Sequence, residues 1–377
     1  MDNFFYLEKT SKNSKARVGK IFTSRGVIET PVFMPVGTNG TVKAIEQREL
    51  LEIGAQIILG NTYHLYLRPG TDVLNHFGGL HKFINWNRPI LTDSGGYQVF
   101  SLNDIRKIEK DGVIFRSHID GSRHKFTPES VVNIQRIIGS DIMMVLDECA
   151  PYPADYSYTK NSSDLSYYWA ELSRREFLQT KEIYEYKQYQ FGIAQGGMFK
   201  DLRIDYLNKM IDLDFEGNAI GGLSVGEPTE LMYKIVNYST DILPNNKPRY
   251  LMGVGTPENI LECIELGIDM FDCVMPTRNA RNGQLFTTYG KINIRNKQYK
   301  FSNELIDENI NSYASRNFTL GYLRHLFISE EILGLQLATI HNLAFYLWLV
   351  NEARNQIIND NFENWKKNFL NNYKKSN

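Results

Sequence analysis

The chain has 377 residues, 42% of them hydrophobic, so it is long enough to form one large α/β domain. Its 42 Lys and Arg residues nearly balance 43 Asp and Glu residues, so binding to a polyanion would have to come from a local patch. The three cysteines (Cys149, Cys263 and Cys273) argue against a disulfide framework, no apolar run of ~18 residues predicts a membrane span, and the first twenty residues lack a signal-peptide core, so we expect a cytoplasmic protein.

In chain order, short apolar runs alternate with helix-like segments, the pattern of βα units around a parallel sheet. The predicted strands are 32–36, 56–59, 89–91, 141–146, 189–194, 218–221, 249–252 and 268–271. Helices are predicted over 44–53, 128–138, 202–211, 230–240 and 257–266, two of them capped by Thr127 and Thr256 before a proline. Eight such units predict a (β/α)8 TIM barrel whose active site lies at the C-terminal ends of the strands.

Polar or small residues follow seven of these strands. They are Asn61, Asp93, Asp147, Gln195, Gly222, Gly253 and Asp272. One aspartate in such a place would be explained by a helix cap or a turn. Three carboxylates at one barrel mouth instead indicate a catalytic site. Two of them suit a displacement reaction in which one carboxylate attacks and the other transfers a proton.

The pattern changes after the eighth strand. Residues 284–300 predict a β-hairpin with Tyr289-Gly290 at its turn, followed by amphipathic helices near 319–328 and 332–356. Residues 278–300 hold six basic and no acidic residues, which indicates either phosphate contacts or an ordinary solvated face. Farther back, the polar stretch 155–164 predicts a mobile loop after the fourth strand.

Several motifs together resemble one family. They are TDSGGYQVFSL, DECAPYP, GIAQGG, GGLSVGE, YLMGVGTP, FDCVMPTRNARNG and LRHLF with EEILGLQLATIHNL. In this order, over nearly the whole chain, they resemble bacterial tRNA-guanine transglycosylase, also called queuine tRNA-ribosyltransferase. The resemblance implies a single TIM-barrel catalytic domain over 1–377, with a hairpin and helical subdomain inserted at 284–350. It also implies a pentosyltransferase of queuosine biosynthesis that exchanges the wobble guanine of tRNAs with G-U-N anticodons (Asp, Asn, His, Tyr) for a 7-deazaguanine base.

The resemblance also assigns roles to residues of this chain. It implies that Asp272 is the nucleophile, which forms a covalent ribosyl-enzyme, and that Asp93 is the general acid and base, as in a retaining glycosidase. The residues implied to bind the base are Asp147, Gln195, Gly222, Leu223, Tyr97, Met252, Cys149 and Val225. Arg278 and Arg281 match positions that hold the anticodon-loop RNA. His64 and His118 also fall near the predicted mouth but are not assigned to catalysis.

Two residues bear on which base enters. Cys149 and Val225 match the pocket of bacterial members that use 7-aminomethyl-7-deazaguanine, and the branched Val225 narrows the space beside the 7-substituent. Queuine carries a bulkier group there, and queuine-using relatives have glycine at that position. We therefore expect the aminomethyl base, with queuine salvage as the alternative.

The chain departs from the family at the structural zinc site of the inserted subdomain. The three cysteine positions are Ile310, Ser312 and Ser315, and only the histidine, His341, remains. Serine and isoleucine do not replace thiolates for Zn²⁺, so we expect no metal and no other cofactor. The partners implied are tRNA, guanine and the 7-deazaguanine base, no membrane, and a second copy of the chain in a homodimer.

Two other function classes remain open on the sequence. A non-catalytic accessory subunit that binds tRNA would be free to lose its carboxylates, whereas Asp93, Asp147 and Asp272 are all present. A barrel hydrolase acting on a small glycoside would leave the base-binding residues and the basic hairpin unexplained.

Overall fold

The computed structural model describes residues 4–102 and 106–375, and its centre is an eight-stranded sheet. In chain order the strands are β1 Phe5–Thr10, β2 Arg17–Thr23, β3 Gly26–Thr30, β4 Val32–Met34, β5 Ile58–Gly60, β6 Ile90–Thr92, β7 Arg106–Glu109, β8 Gly112–Arg116, β9 Arg123–Phe126, β10 Ile142–Met144, β11 Tyr189–Ala194, β12 Gly217–Ile220, β13 Arg249–Leu251, β14 Met270–Asp272, β15 Gln284–Thr287 and β16 Gly290–Asn293.

The α-helices fill the intervals between the strands and the C-terminal part. In chain order they are α1 Gln47–Glu52, α2 Thr62–Leu65, α3 Thr71–His76, α4 Leu80–Phe83, α5 Gly96–Leu102, α6 Pro128–Ile138, α7 Tyr156–Gln179, α8 Lys200–Ile211, α9 Thr229–Ile242, α10 Pro257–Glu265, α11 Met275–Arg281, α12 Tyr313–Asn317, α13 Leu320–Ile328, α14 Ile332–Ile358 and α15 Phe362–Lys375.

The central sheet closes into a barrel. Its strands follow the order β4-β14-β13-β12-β11-β10-β6-β5, and every neighbouring pair is parallel. The two end strands meet just beyond β4, where Val36 forms a parallel bridge with Leu59 and Leu59 N donates to Pro35 O at 3.0 Å. All eight predicted barrel strands are confirmed, and with them the (β/α)8 fold, whose strand ends meet at one mouth.

The two predicted helix caps are also confirmed. Thr127 Oγ1 accepts from Ser130 N at 3.1 Å before α6, and Thr256 Oγ1 accepts from Asn259 N at 3.1 Å before α10. Each cap satisfies an amide that has no partner within its own helix.

Two three-stranded antiparallel sheets lie outside the barrel and were not predicted. One is β1-β2-β3 and the other is β7-β8-β9, which lies between α5 and α6. The loop between β8 and β9 carries His118 back to the barrel, where Tyr63 OH lies 2.9 Å from its Nδ1. The second sheet therefore contributes to the wall next to α2.

The helix predicted over 332–356 is confirmed as the long helix α14, but α14 is buried on most sides, so its predicted amphipathic character was wrong. It contacts α11, β15 and β4, and Asn342 on it accepts from Phe286 N at 3.0 Å and donates to Pro276 O at 3.0 Å. Among the described helices, α14 is the one long and apolar enough to cross a membrane, yet 72% of its most apolar window is buried inside the protein. A helix of a protein core has the same composition, so α14 is weak evidence for a span.

Two local predictions are corrected. Residues 155–164 do not form a loop, because Asp155 caps α7 by accepting from Tyr158 N at 2.8 Å, and the helix begins at Tyr156. The hairpin of β15 and β16 pairs Thr287 with Gly290, so its turn is formed by Thr288 and Tyr289, one residue before the predicted turn.

Candidate active site

The strand-end residues contact one another in neighbouring pairs around the barrel mouth. Asn61 after β5 donates to Asp93 after β6, and Gln195 after β11 donates to Asp147 beyond β10 at 2.6 Å. Ser94 Oγ links the two pairs by donating to Asp147 at 3.3 Å. The structure thus brings the predicted polar residues of four adjacent strands into one network.

Asp93 is buried, and two main-chain donors and one side-chain donor hold its carboxylate in place. Its Oδ1 accepts from Thr62 N at 2.9 Å and from Gly95 N at 3.1 Å, and its Oδ2 accepts from Asn61. Desolvation by burial raises the pKa of Asp93 to about 6, although these hydrogen bonds act in the opposite direction. A carboxyl group with a pKa near neutrality can both give and take a proton.

Asp147, Gln195 and Gly222 form a polar edge on the adjacent side of the mouth. Gln195 is 2% exposed and Asp147 is 7% exposed. Gly222 has φ 65, and a Cβ there would lie 2.5 Å from Gln195 Oε1, so only glycine fits between these groups. Burial, together with the nearby Asp93 and Glu148 charges, raises the pKa of Asp147 to about 6, although the hydrogen bonds from Gln195 and Ser94 act in the opposite direction.

Asp272 ends β14, beside the end of β13. Its Oδ1 accepts from Tyr250 OH at 2.6 Å and from Gly253 N at 2.8 Å. Within the described residues no other residue donates a hydrogen bond to Oδ2. Burial raises the pKa of Asp272, which the Tyr250 and Gly253 hydrogen bonds oppose. One oxygen is therefore fixed while the other remains available to an electrophile.

The remaining predicted base-binding residues follow the same strand ends, Tyr97 at the start of a helix and the others on loops. Tyr97 is 57% exposed on the first turn of α5, directly after the Asp93 loop. Met252 follows β13 and is half-buried against the core. Leu223 is buried, whereas Val225 is half-buried and its N–H donates to Glu227 Oε2 at 2.9 Å. Cys149 is half-buried near Asp147, and burial raises the pKa of its thiol to about 12, so it is not a nucleophile at neutral pH.

The two arginines predicted to hold RNA lie on α11, immediately after Asp272. Arg278 is exposed and Arg281 is half-buried, and their three-residue spacing puts them on one face of the helix. In the described structure Arg281 Nη1 is buried without a hydrogen-bond partner, and burial and the Arg278 charge lower the pKa of Arg281. An anion bound here would relieve both effects.

We expect Asp147→Asn to stabilise the fold at neutral pH, because it removes a charge that burial disfavours. The pKa rises from an ordinary 3.8 to about 6, which corresponds to about 3 kcal/mol at most. Since the folded pKa is raised, the gain is complete above pH ~6 and fades as the pH falls toward ~4, where both states are protonated. Melting temperatures between pH 8 and pH 4.5 measure it, with the exposed Asp212→Asn as control. A lower melting temperature for Asp147→Asn at pH 7 would show that its donors outweigh burial.

Comparison with known proteins shows which family the chain belongs to. The sequence model of the family described as queuine tRNA-ribosyltransferase matches residues 11–375. The chain belongs to the queuine tRNA-ribosyltransferase family. The queuine tRNA-ribosyltransferase of Caldanaerobacter subterraneus subsp. tengcongensis is 55% identical over 365 residues, covering 97% of this chain and 96% of the relative. That of Lawsonia intracellularis is 55% identical over 358 residues, covering 95% of each. As a member of this family, the chain is a pentosyltransferase, and it takes part in tRNA modification.

In this queuine tRNA-ribosyltransferase family member, three of the residues at the positions where the resemblance implies zinc ligands, Ser312, Ser315 and His341, hydrogen-bond to one another. Ser312 Oγ lies 2.6 Å from Ser315 Oγ, and Ser315 Oγ lies 2.8 Å from His341 Nδ1. His341 Nε2 lies 2.8 Å from Phe286 O, and burial lowers the pKa of His341 to about 4. With Nε2–H donating to the carbonyl, Nδ1 accepts from Ser315, so the neutral histidine is satisfied. Ile310 is buried beside them.

Three contributors to the site were not predicted. Tyr250 lies within β13, where the sequence predicts only a core residue, yet its hydroxyl donates a hydrogen bond to Asp272. Thr62 N donates to Asp93 at the start of α2, and this contact can be found only once the backbone conformation is known. Arg203 on α8 is fully buried and donates to carbonyls at the ends of β11 and β12. The Gly-Gly pair of GIAQGG was the one available signal for Arg203.

Proposed function

We propose that this protein exchanges the wobble guanine of tRNAs with G-U-N anticodons for a 7-deazaguanine base, in queuosine biosynthesis. The observation that carries the proposal is the arrangement of Asp272, which has one carboxylate oxygen held by two donors and the other without a donor in the described structure. The barrel, the buried Asp93 and the polar edge of Asp147 and Gln195 support it, as does membership of the family.

In the proposed first step, Asp272 Oδ2 attacks C1′ of the nucleotide. The C1′–N9 bond breaks, its electron pair stays on the guanine, and Asp93 donates a proton to the departing base. In the second step, Asp93 takes the proton from N9 of the incoming base, N9 attacks C1′, and Asp272 leaves. Two displacements retain the configuration at C1′, as in retaining glycosidases. The pKa of Asp93, raised to about 6, suits a group that gives and takes a proton in one cycle.

The polar edge provides the complement of a guanine-like base. Asp147 can accept from the ring N–H and the exocyclic amine, while Gln195 and the Gly222 N–H can donate to the carbonyl oxygen. In the free protein Gln195 Nε2 donates to Asp147 Oδ2 at 2.6 Å, so an entering base replaces this bond with its own. Tyr97 and Met252 would enclose the faces of the flipped-out base.

The decisive experiment incubates the protein with labelled guanine and unmodified tRNA-Tyr transcript. The proposal predicts label in the tRNA, and none in a transcript whose wobble guanine is replaced by adenine. We further propose that 7-aminomethyl-7-deazaguanine is the incoming base. Val225 is branched and half-buried, and the family resemblance implies that it narrows the space beside the 7-substituent. In competition with the label, the aminomethyl base should win over queuine. A win for queuine would favour salvage, and no incorporation of any base would reject the function.

Replacing both Arg278 and Arg281 with alanine should raise the KM for tRNA about 10- to 100-fold and leave the KM for free guanine unchanged. The reason is the loss of two phosphate contacts, which should flatten the plot of log KM against log salt by about 1.4 for single-stranded RNA. Steady-state kinetics at several salt concentrations measure this, with the exposed Arg175→Ala as control. An unchanged salt slope would place the RNA elsewhere.

We propose that the 310–341 region holds no zinc, since its hydrogen bonds are satisfied by serines and a neutral histidine. The purified protein should contain well under one zinc per chain, and a strong chelator should change neither melting temperature nor exchange activity. Elemental analysis with and without chelator decides this. One zinc per chain, lost together with thermal stability on chelation, would show a replacement ligand.

We also propose the remaining features implied by family resemblance. These are a single domain over 1–377 with the inserted subdomain at 284–350, a cytoplasmic location and a homodimer. Exposed aromatic residues of the subdomain support self-association, since Tyr313 is 66% exposed and Tyr322 is 41% exposed, with Phe318 between them.

A further inference from the structure

Arg203 is a fully buried arginine whose acceptors are main-chain carbonyl oxygens. Its Nε donates to Gly197 O at 2.8 Å and its Nη1 to Ala194 O at 3.2 Å. Its Nη2 donates to Gly221 O at 2.8 Å and to Gly222 O at 3.4 Å. Burial lowers the pKa of Arg203, which nearby Tyr238, Cys149 and Glu227 oppose. Burying a charge costs free energy unless the charged group is paired or hydrogen-bonded, and here main-chain carbonyls supply the hydrogen bonds.

The chain makes room for this side chain. Gly196 has φ 131, and a Cβ there would lie 2.7 Å from Arg203 Cγ and 2.8 Å from Arg203 N. Gly196 of the GIAQGG motif therefore makes room for the stem of Arg203. The sequence feature and the arginine form one structural unit.

The carbonyls that Arg203 holds flank the groups that face the base. Ala194 directly precedes Gln195, and Gly221 and Gly222 lie at the end of β12. Arg203 fixes this loop from one side, while Glu227 fixes it from the other by accepting from Ser224 N and from Val225 N. The N–H of Gly222 belongs to the peptide group whose carbonyl is Gly221 O, an acceptor of Arg203. Gly222 has no side chain whose packing could fix the orientation of this peptide group.

We infer that Arg203 is a positioning residue that sets the donors for the carbonyl oxygen of the purine base, namely the Gln195 amide and the Gly222 N–H. The inference deepens the proposed function and rests on it for the identity of the base. Asp147, which faces the amine side of the base, is not held by Arg203, whose acceptors are carbonyl oxygens. Loss of Arg203 should therefore weaken recognition of one edge of the base and spare the other.

The test is Arg203→Lys, since an ammonium cannot span carbonyls on two strand ends. Inhibition constants are measured for guanine, for 6-thioguanine, which weakens the acceptor, and for hypoxanthine, which lacks the amine. Arg203→Lys should raise the inhibition constants of guanine and of hypoxanthine equally, by about 10- to 100-fold. It should raise that of 6-thioguanine much less. The KM for tRNA should stay within about threefold. Equal weakening of all three bases, or no weakening, would overturn the inference.

Arg174→Lys is the matched control at the opposite end of β12. Arg174 is buried and donates to Leu213 O, Asp214 O and Glu216, all before the strand begins. Its replacement should lower the melting temperature without changing base selectivity.

Hydrogen exchange provides a readout that needs no activity. The peptide covering 221–226 should exchange faster in Arg203→Lys and not in Arg174→Lys. Unchanged amide hydrogen exchange in this peptide would overturn the role of Arg203, even if the wild-type protein incorporated guanine into tRNA normally. If amide hydrogen exchange in this peptide were faster in Arg203→Lys but the wild-type protein incorporated no guanine, the proposed function would be rejected. The inference that Arg203 orders the loop would then stand without it.

Discussion

Asp272→Ala should reduce base exchange by at least ~10⁴-fold, the scale seen when an enzyme loses its nucleophile. The variant should keep its fold, because it removes a group whose charge burial disfavours, and the Gly253 amide that loses its acceptor is exposed to solvent. Its affinity for tRNA should remain within about threefold, since the proposed phosphate contacts lie on α11. Exchange rates and equilibrium binding of tRNA measure the two effects separately.

Two further variants make this result specific to Asp272. Asp272→Asn retains an acceptor for Tyr250 and Gly253 but loses the attacking oxygen, so it should be as inactive as the alanine variant. Asp241→Ala removes an exposed carboxylate paired with Lys15 and should be fully active. If Asp272→Asn retained more than a few per cent of the wild-type rate after exclusion of deamidation, attack by Asp272 would be ruled out.

Asp93→Asn should lower the exchange rate about 10²- to 10⁴-fold, the contribution expected of a general acid and base. The substitution preserves shape, because the asparagine oxygen can still accept from Thr62 N and Gly95 N. Asn61 can rotate its amide to accept from the new side chain. The leaving base would depart unprotonated, so the loss concerns the chemical steps and not tRNA binding.

Leaving-group dependence separates this role from a structural one. With tRNA that carries a more acidic guanine analogue at the wobble position, Asp93→Asn should lose less activity, because such a base needs less help from an acid. Single-turnover rates for the two tRNAs measure the difference. An equal loss for both would assign Asp93 to maintaining the pocket, and a wild-type rate would remove it from the reaction.

Sequence patterns were informative for the barrel strands, both faces of which are buried. Strand β11, which is buried along its whole length, is an apolar run interrupted only by Gln190, and a polar residue, Gln195, follows it. This is why Asp93, Asp147 and Asp272 could be placed at one mouth before the structure was known. Their hydrogen-bond partners could not be assigned, because partners come from neighbouring strands that lie far apart in sequence.

The errors have equally specific causes. Strands β7 and β9 are short and rich in charged residues, so no alternation of apolar side chains marks them. The start of α7 contains Ser, Tyr and Asp residues of modest helix propensity, and tertiary packing overrides it, with Trp169 buried and its Nε1 donating to Lys110 O at 2.9 Å. Arg203 sits on a helix that looks ordinary in sequence, and only the fold shows that its guanidinium reaches two strand ends.

The central claim is a covalent ribosyl-enzyme on Asp272, and mass spectrometry tests it most directly. The wild-type protein is mixed with unmodified tRNA-Tyr in the absence of free base, quenched with denaturant, and digested with nuclease and protease. The proposed mechanism predicts a ribosyl adduct on the peptide that carries Asp272, lost on addition of guanine before the quench. An adduct on Asp93 instead, or none while labelled guanine is incorporated at the normal rate, would contradict it.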